Sequence, residues 1–132
     1  MPGYSGTPLP KKLGIKDGFR VCFVGAPADV RSELKSALAA CSESAKGDVD
    51  FAMVFTKSKL ELGKEFKRVA KSLTPAGMLW VSWPKKSSGV ATDLDENVVR
   101  GVGLEVGLVD VKVCAVTDIW SGLKFVRRLK DR

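Results

Sequence analysis

The chain contains no histidine. That absence removes His-based acid–base catalysis, Ser–His and Cys–His nucleophile pairs, and most transition-metal sites. Cysteine is scarce as well. Cys22, Cys41 and Cys114 are odd in number and far apart, and no two have metal-binding or CxxC redox spacing. No metal is expected, and reduced thiols suit a cytoplasmic protein. No apolar run is long enough to span a bilayer, and Met1–Lys12 lacks the apolar core of a secretory signal. Together these absences lower the expectation of an enzyme but leave chemistry by Asp, Glu, Lys or Cys open.

What is present is a chain of 132 residues, the usual size of one domain, with 45% hydrophobic residues, enough for a packed core. Lys plus Arg outnumber Asp plus Glu by 22 to 15, a net charge of +7. A basic balance suits anionic partners such as nucleic acid or phosphorylated ligands, but the lysines are spread along the chain as on a solvated surface.

Residues 1–18 read as an N-terminal arm. Pro2, Pro8, Pro10, Gly3 and Gly6 argue against a regular element there, while Tyr4, Leu9, Leu13 and Ile15 are apolar enough to dock. Residues 19–132 read as a single Rossmann-like domain. Phe19–Val24 is a first strand, and 28–41 an amphipathic helix carrying Val30, Leu34, Ala37, Leu38 and Cys41. Val49–Phe55 is a strand without polar alternation, as in parallel sheets buried on both faces. Ser58 and Glu61 form a capping box ahead of Leu62, Phe66, Val69 and Leu73, one face of a second helix. Met78–Trp83 is the third strand, stopped by Pro84, with Trp80 and Trp83 on opposite faces. Thr92 is expected to cap a third helix with the stripe Leu94, Val98, Val102 and Val106, ended by Gly107. Leu108–Val116 is a fourth strand, with Val109, Val111, Val113 and Ala115 facing one way and Asp110, Lys112 and Cys114 the other. Leu123–Arg128 follows too closely for anything but an antiparallel hairpin. The fold class is therefore α/β: a truncated, Rossmann-like, mostly parallel five-stranded sheet, βαβαβαββ, with a C-terminal antiparallel hairpin.

Two resemblances rest on these residues. Asp50-Phe51-Ala52-Met53-Val54, a helix, and Leu73-Thr74-Pro75-Ala76-Gly77-Met78-Leu79-Trp80-Val81 resemble the second half of class I S-adenosylmethionine-dependent methyltransferases. There an Asp-led apolar strand is followed by a helix and a Leu-x-Pro-Gly-Gly turn into the next strand. Gly3–Leu9, Lys11–Ile15, Leu79–Lys86, Gly107–Ala115 and Trp120–Leu123 resemble a family of small bacterial proteins carrying a domain of unknown function. That resemblance implies one compact domain and supplies no activity.

The resemblance to methyltransferases poses a cofactor question. Such enzymes bind at a Gly-rich turn after strand one, with an acid at the end of strand two. Here Val24-Gly25-Ala26-Pro27-Ala28-Asp29 has one glycine, and the strand taken as the second ends at Phe55-Thr56-Lys57 without an acid. No cofactor is therefore predicted. The loop Lys85, Lys86, Ser87, Ser88 and Gly89, with Thr92, offers two cations and hydroxyls for a small anion at the carboxyl edge of the sheet. Lys64, Lys67, Arg68 and Lys71 share a helix face that can track phosphates, though no aromatic is interleaved to stack bases.

The sequence reading is a non-catalytic Rossmann-like module acting as a homo-oligomer and holding a small anion. The alternatives are an S-adenosylmethionine-dependent methyltransferase or other nucleotide-using enzyme, and a nucleic-acid binder. A sheet order of 1-2-3-5-4 would put all three helices on one face. The opposite, apolar face would then be closed by the arm and by a second copy in a two-fold dimer.

Overall fold

Val49–Phe55 is buried along almost its whole length and lies at the centre of the sheet. Around it the computed structural model, which describes residues 6–44 and 47–132, arranges the rest. The order is α1 (Leu9–Leu13), β1 (Arg20–Val24), α2 (Ala28–Leu38), β2 (Ser42–Glu43), β3 (Val49–Phe55), α3 (Lys59–Ala70), β4 (Leu73–Pro84), α4 (Glu96–Val106), β5 (Leu108–Ala115) and β6 (Trp120–Arg127). Short 3₁₀ turns cover Lys86–Ser88 and Leu129–Asp131.

The six strands form one sheet in the order β2-β1-β3-β4-β6-β5. β2, β1, β3 and β4 pair in parallel, and β6 runs antiparallel between β4 and β5. The α/β class and closing hairpin are as expected, but the strand count and order are not. Ser42–Glu43 is an additional strand on the far side of β1, so the sheet runs outward from β1 in both directions. The sequence hides it because two residues show no periodicity. Glu43 is level with Val21, and Val21 with Phe51. β2 therefore ends level with the third residue of β3.

This reversal decides which face each helix covers. Right-handed crossovers taken in opposite directions put helices on opposite faces. Leu62, Phe66 and Val69 of α3 and Val99 and Val102 of α4 pack on Ala52, Val54, Leu79 and Val81. Val30 and Leu34 of α2, with Leu9 and Leu13 of α1, pack on Phe51, Met53 and Trp80. Trp83 belongs to the first group and Trp80 to the second, as their alternation requires. The apolar face expected to be bare is thus covered within the chain, and the reason given above for a dimer disappears.

The arm corrects a second expectation. Pro8 is the N-cap of α1 and Pro10 sits in its first turn, where a missing N–H costs nothing. Gly14, at φ 85°, ends the helix in the left-handed region. Leu9 and Leu13 are buried, Ile15 packs against the same core, and the Trp80 indole N–H donates to the Leu13 carbonyl at 2.9 Å. Tyr4 lies outside the described residues.

Two local assignments also change. The cap of α4 is Asp95, whose carboxylate accepts the Val98 N–H at 2.8 Å, not Thr92. Thr92, Asp93 and Asp95 are all competent caps, and the first two are used elsewhere. Asp93 accepts the Lys59 N–H at the start of α3, and Thr92 donates to the Lys57 carbonyl. On β5 the expected alternation is broken at Val111, the extra residue between Asp110, opposite Phe125, and Lys112, opposite Lys124. Phe125 packs towards α3, while Lys112 reaches the Lys12 carbonyl on α1. Asp110 and Lys112 therefore point to opposite faces.

Candidate functional site at the carboxyl edge

The ends of β1, β3 and β4 meet at one edge. β1 leaves through Gly25 at φ 69°, and a Cβ there would stand 2.9 Å from the Phe55 carbonyl oxygen. Only glycine fits so tight an exit. α2 begins at once, with Pro27 as N-cap, and its first-turn amides face the same edge. The Val30 amide is already taken by Asp29 Oδ1 at 3.0 Å.

Next to it, β3 and β4 are tied by polar groups taken fully out of water. The Thr56 N–H donates to the Ser82 carbonyl at 3.1 Å, and the Ser82 hydroxyl donates to the Ser121 carbonyl at 2.7 Å. Phe55 meets Trp120 edge to face at 5.3 Å. These ties hold the edge rigid while Lys57 and Lys85 leave it on neighbouring strands.

Beyond β1 lies the residue the sequence reading missed. Glu43, on β2, pairs with Arg31 of α2 at 2.9 Å through one of its oxygens, and Arg31 also covers the Phe23 ring. Cys22, Phe23, Glu43 and Ser44 line an open hollow of about 150 Å³. Burial pushes the Cys22 thiol up, against the pull of Arg68, so it stays protonated near neutral pH. The expectation that no acid ends strand two follows from reading Val49–Phe55 as the second strand. β2 supplies one. A signal was present: Glu43 lies 18 residues after Gly25, close to the roughly 20-residue spacing of a ribose acid.

The predicted anion loop is a tight turn at the end of β4. The Ser88 hydroxyl donates to the Lys85 carbonyl at 2.6 Å and accepts the Val90 N–H. The Thr92 hydroxyl donates to the Lys57 carbonyl at 2.6 Å and accepts the Leu94 N–H. Both hydroxyls therefore serve backbone groups, Ser88 within the loop and Thr92 across to the end of β3. Gly89 takes the left-handed conformation at φ 76°, and Lys86 and Ser87 are exposed. The loop reaches back to the start of α3 through Thr92, so Lys57 and Lys85–Thr92 border one edge.

The basic face of α3 is interrupted. Arg68 is bound to Glu65, and Lys64 and Lys67 line a shallow groove of about 570 Å³ with Lys59, Leu60, Gly63 and Asp93. Lys71 lies further along the helix, beside Arg127. Among the described residues no group of three or more His, Cys, Asp or Glu is gathered as a metal site would require, and no helix is long and apolar enough to cross a membrane.

No model of a known protein family matches the chain, and no curated protein matches it. Solved structures do. Magnesium protoporphyrin IX methyltransferase from Synechocystis PCC 6803, with bound S-adenosylhomocysteine, matches with a TM-score of 0.59 at 12% identity over 85% of this chain and 75% of that one. A putative methyltransferase from Thermoplasma acidophilum gives 0.59 at 9% identity, over 93% and 75%. Precorrin-6y C5,15-methyltransferase from Geobacter metallireducens GS-15 gives 0.61 at 11% identity, over 91% and 86%. These likenesses overturn the sequence reading of a non-catalytic module. The three structures bear the names of methyltransferases, one of them putative, and the acid on a second strand that the sequence reading lacks is present on β2. The chain has the Rossmann-like fold of S-adenosylmethionine-dependent methyltransferases.

Proposed function

We propose that the chain is an S-adenosylmethionine-dependent methyltransferase whose cofactor lies at the carboxyl edge beside the β1–α2 turn. The observation that carries this reading is the reversal of strand order at β1, where open α/β sheets take their ligands, with an acid on the strand beyond. The residues there suit a nucleoside cofactor. Gly25 lets the backbone approach closely, the first turn of α2 offers amides, and Glu43 keeps a carboxylate oxygen beyond the one held by Arg31 to accept from ribose hydroxyls. Pro27 has no N–H to give, so the donors on offer at this helix start begin at Ala28. The cofactor would supply an electrophilic methyl group. The chain's own part is to bind and orient.

Lys57, Lys85 and Lys86, with Ser87, border the opposite side of the edge and would hold an anionic methyl acceptor. With the Ser88 and Thr92 hydroxyls committed to the backbone, the lysines are the groups left for that task. No histidine is available as a base, so the reading favours an acceptor that is nucleophilic without one.

Titration calorimetry with S-adenosylmethionine and S-adenosylhomocysteine tests the proposal. Binding in the micromolar range is expected, weakened about tenfold by Glu43→Gln through the lost charge-assisted hydrogen bonds. Lys86→Ala should leave cofactor affinity unchanged. No binding of either compound would overturn the reading.

A further inference from the structure

On the α1 side of the closing hairpin, away from the carboxyl edge, four lysines converge. Lys112 of β5 and Lys124 of β6 are opposite one another in register. Lys112 Nζ donates to the Lys12 carbonyl at 2.9 Å, and Lys12 Nζ donates to the Ala115 carbonyl at 2.9 Å. The α1 helix is thereby held against the hairpin by two lysines reaching across the gap. The turn after it brings in the rest. A Cβ on Gly14 would lie 3.9 Å from Lys124 Nζ, and Lys16 follows in the same turn.

These hydrogen bonds neutralise nothing, because their acceptors are carbonyls. Lys16, Lys112 and Lys124 take part in none of the ion pairs among the described residues. The acid closest to them along β5 is Asp110. The bulge at Val111 turns it to the other face, where Arg100 holds it at 2.9 Å. Burial, followed by the charges of Lys112 and Lys16, holds the Lys124 ammonium below the usual lysine range. Asp17, next to Lys16 in the chain, is the arm's acid and takes part in none of the ion pairs among the described residues, so the cluster gathers more positive than negative charge.

We propose that this cluster is a binding site for linked phosphate groups, with Lys16, Lys112 and Lys124 as the ligating cations and the Gly14 turn as its floor. Several ammonium groups in one small area call for several negative charges in an equally small volume, which a chain of phosphates provides and a single carboxylate does not. Met78 and Cys114 pack below, and a Cβ on Gly14 would press on Met78 Sδ at 3.3 Å while lying in ordinary contact with Lys124. No aromatic ring is among the groups that form the cluster, so the phosphates themselves would be recognised. The site is separate from the proposed cofactor edge and does not depend on that reading.

The test is calorimetry of the full chain with tripolyphosphate at low ionic strength, alongside fluorescence anisotropy with a short labelled single-stranded RNA. One tripolyphosphate should bind per chain, and added salt should weaken it. Lys112→Gln and Lys124→Gln should each weaken binding about fivefold, as should the exposed Lys16→Gln, which keeps the test valid if a Lys124 variant does not fold. Lys64→Gln with Lys67→Gln, on α3, should leave binding unchanged. The Lys124 ammonium should titrate at higher pH in the complex, a change that structural damage would not produce. RNA that competes with tripolyphosphate and is lost with the same variants identifies a phosphodiester backbone, and RNA that does not compete identifies a small polyphosphate. No binding of either probe would overturn the proposal, as would binding that survives the Lys112 and Lys124 substitutions but is abolished by those on α3.

Discussion

The two faces of the sheet are covered by different means. Beneath α3 and α4 the cover is two regular helices whose apolar stripes fit the strands directly, with Phe66 and Phe125 edge to face at 5.2 Å. Gly103 allows α4 to approach so closely that a Cβ there would run into the Phe125 ring. Beneath α1 and α2 the cover is one ordinary helix and one of 5 residues, too short to be stable alone and held by long-range hydrogen bonds from Trp80, Lys12 and Lys112. One face is closed by shape, the other by shape plus polar pins. A helix stripe is written in local sequence, whereas a pin joins residues far apart along the chain.

The largest expected effect is on the pinned face. Leu13→Ala removes a fully buried side chain from the short helix and should cost about 3 kcal/mol in urea unfolding. A loss well under 1 kcal/mol would mean that the arm docks without stabilising the domain. Gly103→Ala addresses the other face. It should cost about 2 kcal/mol by overpacking against Phe125, despite the gain in helix propensity. Gly101→Ala, two residues away where a Cβ meets nothing within 4 Å, should instead stabilise by about 1 kcal/mol. If the two alanines behaved alike, packing by shape on this face would be disproved.

Trp80→Phe keeps most of the ring and strands the Leu13 carbonyl, with an expected loss of about 2 kcal/mol. Leu13→Ala and Trp80→Phe should be non-additive, since both loosen the same helix. Ser58→Ala removes the α3 cap that accepts the Glu61 N–H and should lower the urea midpoint by the equivalent of about 1 kcal/mol without changing the slope. The smallest effect is on pH. Lys124 has a folded pKa below its unfolded one, so the unfolded state binds more protons between the two values, and stability rises with pH through that alkaline window. Lys124→Met should flatten the rise, as followed by thermal melts above neutral pH.

What could be read from the sequence follows the same division. Val49–Phe55 was legible because an unbroken apolar run between turns has few other homes, and α3 because Ser58, Glu61 and the Leu62–Phe66–Val69 stripe all agree. β2 was not, since two residues become a strand only through pairing with Arg20 and Val21. That omission propagated. Without β2, Glu43 is missing from the candidate site, every helix falls on one face, and an apolar surface is left open to a second copy. The cap of α4 was ambiguous because Thr92, Asp93 and Asp95 can each serve, and only the positions of Lys57 and Lys59 decide among them. The carboxyl edge itself was legible as a location. The use of its hydroxyls was not, because Ser88 and Thr92 choose partners that the local sequence does not reveal.

The irregularity at Val111 has a consequence for the molecule among its own copies. β5 is the outermost strand on its side, and Val111 and Val113 are among its exposed residues. A straight outer strand of this kind is a template on which further strands can add one after another until a ribbon grows. The extra residue throws the backbone out of step at the middle of that rim and sets Lys112 beside it, so an incoming strand would find its hydrogen-bonding groups out of phase and a charge in the way. Straightening β5 by deleting Val111 would remove that protection and should turn a dispersed protein into one that forms fibrils at high concentration.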